Sequence, residues 1–304
     1  MSRRDIGIGL IVVVLWGLNF LAIKLGLGNM PPLLLAVLRF IVVCVPAIFF
    51  LPKPPVPWRW LIALGLTLNV GQFAFLFMGM KLGMPAGLAS LIHQSQAFFT
   101  LFIAVLLIGE RWHWNNLVGL IIAACGMVVI ASQQGSSMTA IGFWLTLTGA
   151  ASWGAGNVIM RRATQGVPPF SMLALVVWAG AVAIVPLALL SLCIEGLAAW
   201  KAAWHSITWV TGASLIYLAY CATITGYGLW GKLLSRYPAG MVSPFALLVP
   251  VVGMSSASLF LGEAFSLHQL IGALLLMTGL IVNVFGGKWG DYLAKGKKAR
   301  DLEQ

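Results

Sequence analysis

Ten runs of mostly apolar residues follow one another along the chain, at 6–26, 32–51, 60–81, 85–108, 115–132, 139–160, 169–192, 209–233, 239–261 and 267–287. A helix rises about 1.5 Å per residue, so roughly 20 apolar residues carry it across a hydrocarbon core. The pattern predicts an all-α, polytopic membrane protein of about ten transmembrane helices. The connections are short and hold Pro, Gly, Trp and charge, as in Pro52-Lys53-Pro54-Pro55-Val56-Pro57-Trp58-Arg59. The first run lacks a small-x-small cleavage site and is read as an uncleaved anchor.

The pattern also repeats. Trp16-Gly17, Lys24 and Pro31-Pro32 recur as Trp153-Gly154, Arg161 and Pro168-Pro169, at an offset of 137. Pro85-Ala86-Gly87, Ser90, Gly109-Glu110, Gly119 and Gly126 recur as Pro238-Ala239-Gly240, Ser243, Gly262-Glu263, Gly272 and Gly279, at an offset of 153. The extra 16 residues fall around Glu195–Thr208, where Leu197, Trp200 and Trp204 can line one face of a short interfacial helix. Five helices per half is an odd number, so the halves must insert in opposite senses. The expectation is two inverted five-helix repeats, at 1–135 and 136–290, followed by a basic cytoplasmic tail at 291–304.

Composition agrees: of 304 residues, 61% are hydrophobic and 8% charged, far below the share a soluble domain carries. The net charge of +11 would suit nucleic acid, but the cations sit in short loops rather than along one basic face, and nucleic acid is excluded as a partner. With the N-terminus inside, fourteen of the 18 Lys and Arg fall on the cytoplasmic side, including Arg111. Lys24, Lys81 and Lys201 fall outside, and Arg39 lies within a span. This asymmetry predicts two cytoplasmic termini, in an inner (plasma) membrane. Cys44, Cys125, Cys193 and Cys221 have no metal-ligand spacing and read as small buried hydrophobes.

No enzyme, metal site or cofactor is expected. The chain has no phosphate-binding loop and no His/Glu metal motif. Its seven acidic residues, Asp5, Glu110, Glu195, Glu263, Asp291, Asp301 and Glu303, all lie at or beyond helix ends. Polar residues inside the spans gather on faces instead. Asn69 and Gln72 share one side of the third helix; Ser90, His93, Gln94 and Ala97 share one of the fourth; Tyr220, Thr223, Tyr227 and Trp230 share one of the eighth. Such faces look inward, either to bond between helices or to line a wet cavity. The substrate-binding candidates are Asn69, Gln72, His93, Gln94, Tyr220, Tyr227 and Trp230, with Trp16, Asn19, Trp153 and Asn157 next. His93 can bind a carboxylate when protonated, carry a coupling proton, or simply satisfy a buried neighbour. Arg39 can snorkel, bond a carbonyl or bind substrate. Pro244 and Pro250 remove backbone donors and free the carbonyls of Gly240 and Ala246, which either kinks the ninth helix or offers acceptors to a substrate. Glu110 with Arg161, and Glu263 with Lys24, are placed by the repeat as two gating pairs at opposite ends, or as ordinary interfacial charges.

Trp16-Gly17-Leu18-Asn19-Phe20, Pro85-Ala86-Gly87-Leu88-Ala89-Ser90 and Gly109-Glu110-Arg111, with their second-half echoes, resemble the EamA family of the drug/metabolite transporter superfamily over essentially the whole chain. The resemblance implies efflux of small metabolites by alternating access. Gln72–Phe77 and Pro244–Gly253 are similar to the wording of a member that exports O-acetylserine and cysteine, which implies a small zwitterionic metabolite as substrate. An exporter of aromatic or other amino acids, using Phe73, Phe75, Tyr220, Tyr227 and Trp230 as stacking surfaces, is the rival within the class. A non-transporting membrane scaffold is the rival outside it.

Overall fold

A computed structural model describes residues 1–110, 113–133 and 138–300. Arg111, Trp112, the expected boundary between halves at 135/136, Asp301 and Glu303 lie outside the described residues. Every regular element described is helical. In chain order they are α1 (Arg3–Gly26), α2 (Pro32–Ala47), α3 (Trp58–Lys81), α4 (Ala86–Ile108), α5 (Trp114–Ala131), α6 (Ala140–Ala163), α7 (Met172–Ile194), α8 (Gly196–His205), α9 (Trp209–Arg236), α10 (Ala239–Ala246), α11 (Val249–Leu261) and α12 (Leu267–Arg300).

Among the described residues, seven helices are long and apolar enough to cross a bilayer, and eight if the bent pair α8 and α9 is one span. α2 has 16 residues, because the chain turns at Ile48–Phe50 before the Pro-rich connection begins at Pro52. α6 is long but carries Thr146, Thr148, Ser152 and Asn157 among its apolar residues. Phe49, Phe50, Val128, Leu259 and Phe260 are exposed; such surface belongs against lipid. α8 meets α9 at 105°, with Leu197 and Trp204 exposed and the Trp200 indole donating to Ser191 Oγ at 2.8 Å.

The halves interlock as an inverted pair. A Cβ on Gly119 would lie 2.6 Å from the Gly279 carbonyl, and one on Gly126 would lie 2.6 Å from that of Gly272. Each glycine therefore packs on the repeat mate of the other, which requires α5 and α12 to run antiparallel about a two-fold axis. The same exchange joins α1 to α11, through Gly17 on Val252, and α6 to α4, through Gly154 on Phe99.

Departures from α geometry repeat too. α3 is π-helical over Gly65–Gly71 and α9 over Tyr217–Thr225, stretches that the 153-residue offset superimposes. α4 narrows to a 3-10 turn at His93–Ser95, and the equivalent positions 246–248 are where α10 gives way to α11. Gly109 and Gly262 close α4 and α11 at φ +73° and +66°, a left-handed cap that glycine adopts at no steric cost, and they turn the chain directly into Glu110 and Glu263.

Two ends of the bundle can be told apart. At the end holding the N-terminus, Tyr237 Oη donates to Asp5 at 2.8 Å, and Arg161 forms an ion pair with Glu110. At the far end, Lys24 Nζ donates to the Met80 carbonyl (3.2 Å) and Lys81 Nζ to that of Leu27 (2.6 Å). There Glu195 accepts from Leu33 N (2.7 Å) and Leu34 N (3.0 Å), and Glu263 from Ala86 N (2.7 Å) and Gly87 N (3.0 Å). A helix N-terminus has unpaired N–H groups and a positive dipole end, so these two carboxylates cap α2 and α4.

Candidate functional site

The helix irregularities surround one cavity of about 500 Å³, within the range of small-molecule sites. α3 contributes Asn69 and Gln72, on either side of its last π-helical residue; α4 contributes Ser90, His93 and Gln94. Tyr227 and Trp230 come from α9, Trp16 and Asn19 from α1, Trp153 and Asn157 from α6, and Arg39 from α2.

Gln72 Nε2 lies 3.2 Å from His93 Nε2, so as placed the amide donates and the imidazole nitrogen accepts. His93 is 2% exposed, with the Trp153 ring centred 5.1 Å and the Phe20 ring 6.1 Å away. Gln94 Nε2 donates to the Ala246 carbonyl at 2.8 Å. Trp16 stacks obliquely on both Tyr227 (5.3 Å) and Trp230 (5.1 Å), and its indole donates to the Ala222 carbonyl at 3.0 Å. Asn157 Nδ2 bonds Gln96 Oε1 at 2.7 Å and Thr100 Oγ1 at 3.1 Å.

Six of the seven binding candidates thus line one cavity: Asn69, Gln72, His93, Gln94, Tyr227 and Trp230. Tyr220 does not join them; it is 41% exposed on the outer side of α9. The shared face read from α-helical spacing assumed 3.6 residues per turn, and the wider i→i+5 turn of Tyr217–Thr225 rotates Tyr220 away from Thr223 and Tyr227. Of the two expected gating pairs, Glu110 and Arg161 meet. Lys24 and Glu263 form no ion pair: Glu263 is held by the α4 N-terminus and Lys24 by Met80. Gln96 and Thr100 escaped the sequence reading, although they extend the His93 face at i+3 and i+7.

The cavity is asymmetric along the membrane normal. It reaches Leu64 of α3, Met160 of α6, Met172 of α7, Leu234 of α9, Ser243 of α10 and Val284 of α12, all toward the end that holds the N-terminus. None of the far-end residues Lys24, Lys81, Glu195 and Glu263 lines it. Among the described residues, no group of three or more His, Cys, Asp or Glu could hold a metal ion. Among the described residues that line the cavity, none carries a carboxylate.

A family model described as "EamA-like transporter family" matches residues 5–132 and again 140–285, one match per half. A "Probable amino-acid metabolite efflux pump" of Escherichia coli (strain K12) is 47% identical over 291 residues, covering 95% of this chain and 97% of its own length. One of the same description from Salmonella typhimurium is 49% identical over 288 residues, covering 94% and 96%. A "Probable terminal-alkyne amino-acid exporter" of Streptantibioticus cattleyicolor is 26% identical over 277 residues, covering 90% of each. One crystal structure, at 21% identity, shares the fold with a TM-score of 0.62 over 92% of this chain and 96% of its own.

Proposed function

The chain belongs to the EamA-like transporter family, and from that premise we propose that it exports small zwitterionic metabolites of the cysteine pathway, O-acetylserine and cysteine, by alternating access across a bacterial inner membrane. It is a multi-pass membrane transporter and not an enzyme. The relatives described as amino-acid metabolite efflux pumps support the substrate class.

The observation that carries the reading is the cavity itself: amides, an imidazole and a phenol converge between two inverted halves, where the fourth helix of each half is broken. A zwitterion needs donors and acceptors on opposite sides of a small volume, and Asn69, Gln72, His93, Gln94 and Tyr227 supply both. The halves are 1–135 and 136–290, with 291–304 as a basic cytoplasmic tail. Cation asymmetry puts the end holding the N-terminus in the cytoplasm. The cavity then faces the cytoplasm, the state in which an exporter loads its substrate, with the Glu263 cap holding the far end and Glu110–Arg161 flanking the end toward which the cavity extends. His93 is the group in the wall suited to carry a coupling proton.

The test is transport by purified protein in liposomes. Labelled O-acetylserine and cysteine should move, with a rate that responds to a pH gradient, and His93→Ala should abolish movement in folded protein. The aromatic rings of Trp16, Phe73, Trp153, Tyr227 and Trp230 favour a second reading, an exporter of aromatic amino acids. Preferential movement of labelled tryptophan or phenylalanine would replace the first reading with that one. Movement of no amino acid by a folded protein would reject both.

A further inference from the structure

Arg39 sits midway along α2 and is 3% exposed. Among the described residues, the two ion pairs are Glu110–Arg161 and Asp5–Arg236, so no carboxylate neutralises Arg39. A charge taken out of water without an ionic partner is costly to keep. An anion that enters the cavity and pairs with the group offsets that cost.

The guanidinium is held on two sides, by the Thr223 hydroxyl and by the Phe73 ring. Its Nη2 donates to Thr223 Oγ1 at 3.0 Å, and Thr223 Oγ1 in turn donates its own proton to the Leu218 carbonyl at 2.8 Å. The hydroxyl proton is thereby committed, which leaves an oxygen lone pair for Arg39. That arrangement depends on the π-helical stretch of α9, since Leu218 and Thr223 are five residues apart. The Phe73 ring lies 4.2 Å from the guanidinium carbon and fixes the plane of the fork. Nε and Nη1, both buried, have no hydrogen-bond partner. Nε and Nη1 stand on different edges of the guanidinium, each beside Nη2, and the edge whose Nη2 hydrogen does not go to Thr223 keeps two parallel donors, which match a carboxylate in bidentate geometry.

The cavity also holds the complementary group. Asn19 is buried on α1, three residues from Trp16, and its Oδ1 is an acceptor without a partner among the described residues. Trp16 bonds the Ala222 carbonyl, next in sequence to the Thr223 that holds Arg39. The cavity lining therefore carries a cationic group with uncommitted donors and an uncommitted neutral acceptor, and among the described residues that line it no acidic side chain to bind an amine strongly.

We infer that Arg39 binds the substrate carboxylate and that Asn19 Oδ1 accepts from its ammonium group, so the transporter selects compounds with a free carboxylate and rejects the corresponding esters and amines. The inference deepens the exporter reading and rests on it for the transport step only.

The experiment measures ligand-induced thermal stabilisation of purified protein in detergent beside competition for cysteine transport in liposomes, both under reducing conditions. The probes are cysteine, N-acetylcysteine, cysteine methyl ester and cysteamine. Charge-assisted hydrogen bonds of this kind predict a loss of roughly 10- to 100-fold in affinity when the carboxylate is absent, as in the ester and the amine. N-acetylcysteine should remain a ligand. Arg39→Met should lose cysteine binding to a similar extent while Arg39→Lys keeps part of it, and Asn19→Ala should weaken cysteine but not N-acetylcysteine. Equal binding of cysteine and its methyl ester by the wild-type protein overturns the inference even if the Arg39 variants do not fold. Failure of all four probes to bind also overturns it. Arg39-dependent binding of carboxylates without any transport supports the carboxylate site and rejects the exporter reading.

Discussion

Gln94 donates its side-chain amide to the Ala246 carbonyl at 2.8 Å, and Ala246 is the residue whose carbonyl loses its helical donor to Pro250. The bond ties the 3-10 turn of α4, in one half, to the point where α10 ends, in the other. Ala246 is also the repeat mate of His93 at the 153-residue offset. The two breaks at the centre of the molecule are therefore joined directly to each other.

Replacing Gln94 with Ala leaves the Ala246 carbonyl without its protein partner, a penalty of about 1–3 kcal/mol where water cannot reach. The expected outcome is export reduced to background with membrane abundance near that of the wild type. Gln94→Glu keeps the size but loses the donor and should behave similarly. Export and immunoblot abundance in the same cells check this; near-normal export by both variants would remove the bond from the mechanism.

At the contact between α5 and α12 the expected effect is on stability. A Cβ on Gly126 meets the Gly272 carbonyl at 2.6 Å and the Leu276 nitrogen at 2.7 Å, both backbone atoms that cannot rotate aside. Gly126→Ala should destabilise the protein by about 1–3 kcal/mol, the usual cost of overpacking. Thermal unfolding in detergent measures it, and Gly166→Ala, where nothing lies within 4 Å but φ is +70°, separates packing from backbone strain.

The expectation of five membrane-spanning helices in each half sets the topology to be tested. Reporter fusions after Gln133 and after Gln304 should report opposite compartments, with Gln304 cytoplasmic. Matching compartments would refute the inverted arrangement in the membrane.

How much of this could be read from the sequence depends on what each feature leaves in it. Spans were legible because an apolar run must match the hydrocarbon thickness, and the repeat because Gly119, Gly126 and their mates must stay small at a close crossing. Of the paired breaks, the one near Leu247 is announced by Pro244 and Pro250; its mate at His93–Ser95 has no proline and left no signal. Hydropathy does not report π-helical turns either, which is why Tyr220 was grouped with residues it turns away from. Arg39 was visible as a cation within a span, but only the packing of Phe73 and Thr223 shows which of its donors remain free. The Lys24–Glu263 pair was drawn from repeat symmetry alone, and symmetry cannot show that the first turn of α4 offers Glu263 two donors.

Glu263 holds the N-terminus of α4 at the closed end, while its mate Glu110 is paired with Arg161 at the end toward which the cavity extends. The two carboxylates, equivalent in the repeat, thus have different partners at the two ends of one structure. Loss of a helix cap costs about 0.5–2 kcal/mol, equivalent to roughly a 2- to 30-fold shift between two states. Glu263→Ala should therefore raise labelling of a cysteine placed at Ser90 by an impermeant maleimide added from the far side, within that range, in a background without the native cysteines. Glu263→Gln, which keeps one acceptor oxygen, should give a smaller rise. Glu110→Ala acts at the opposite end and should give none. Equal far-side labelling in Glu263→Ala and the parent would mean that the cap fixes the helix end without governing which side is open.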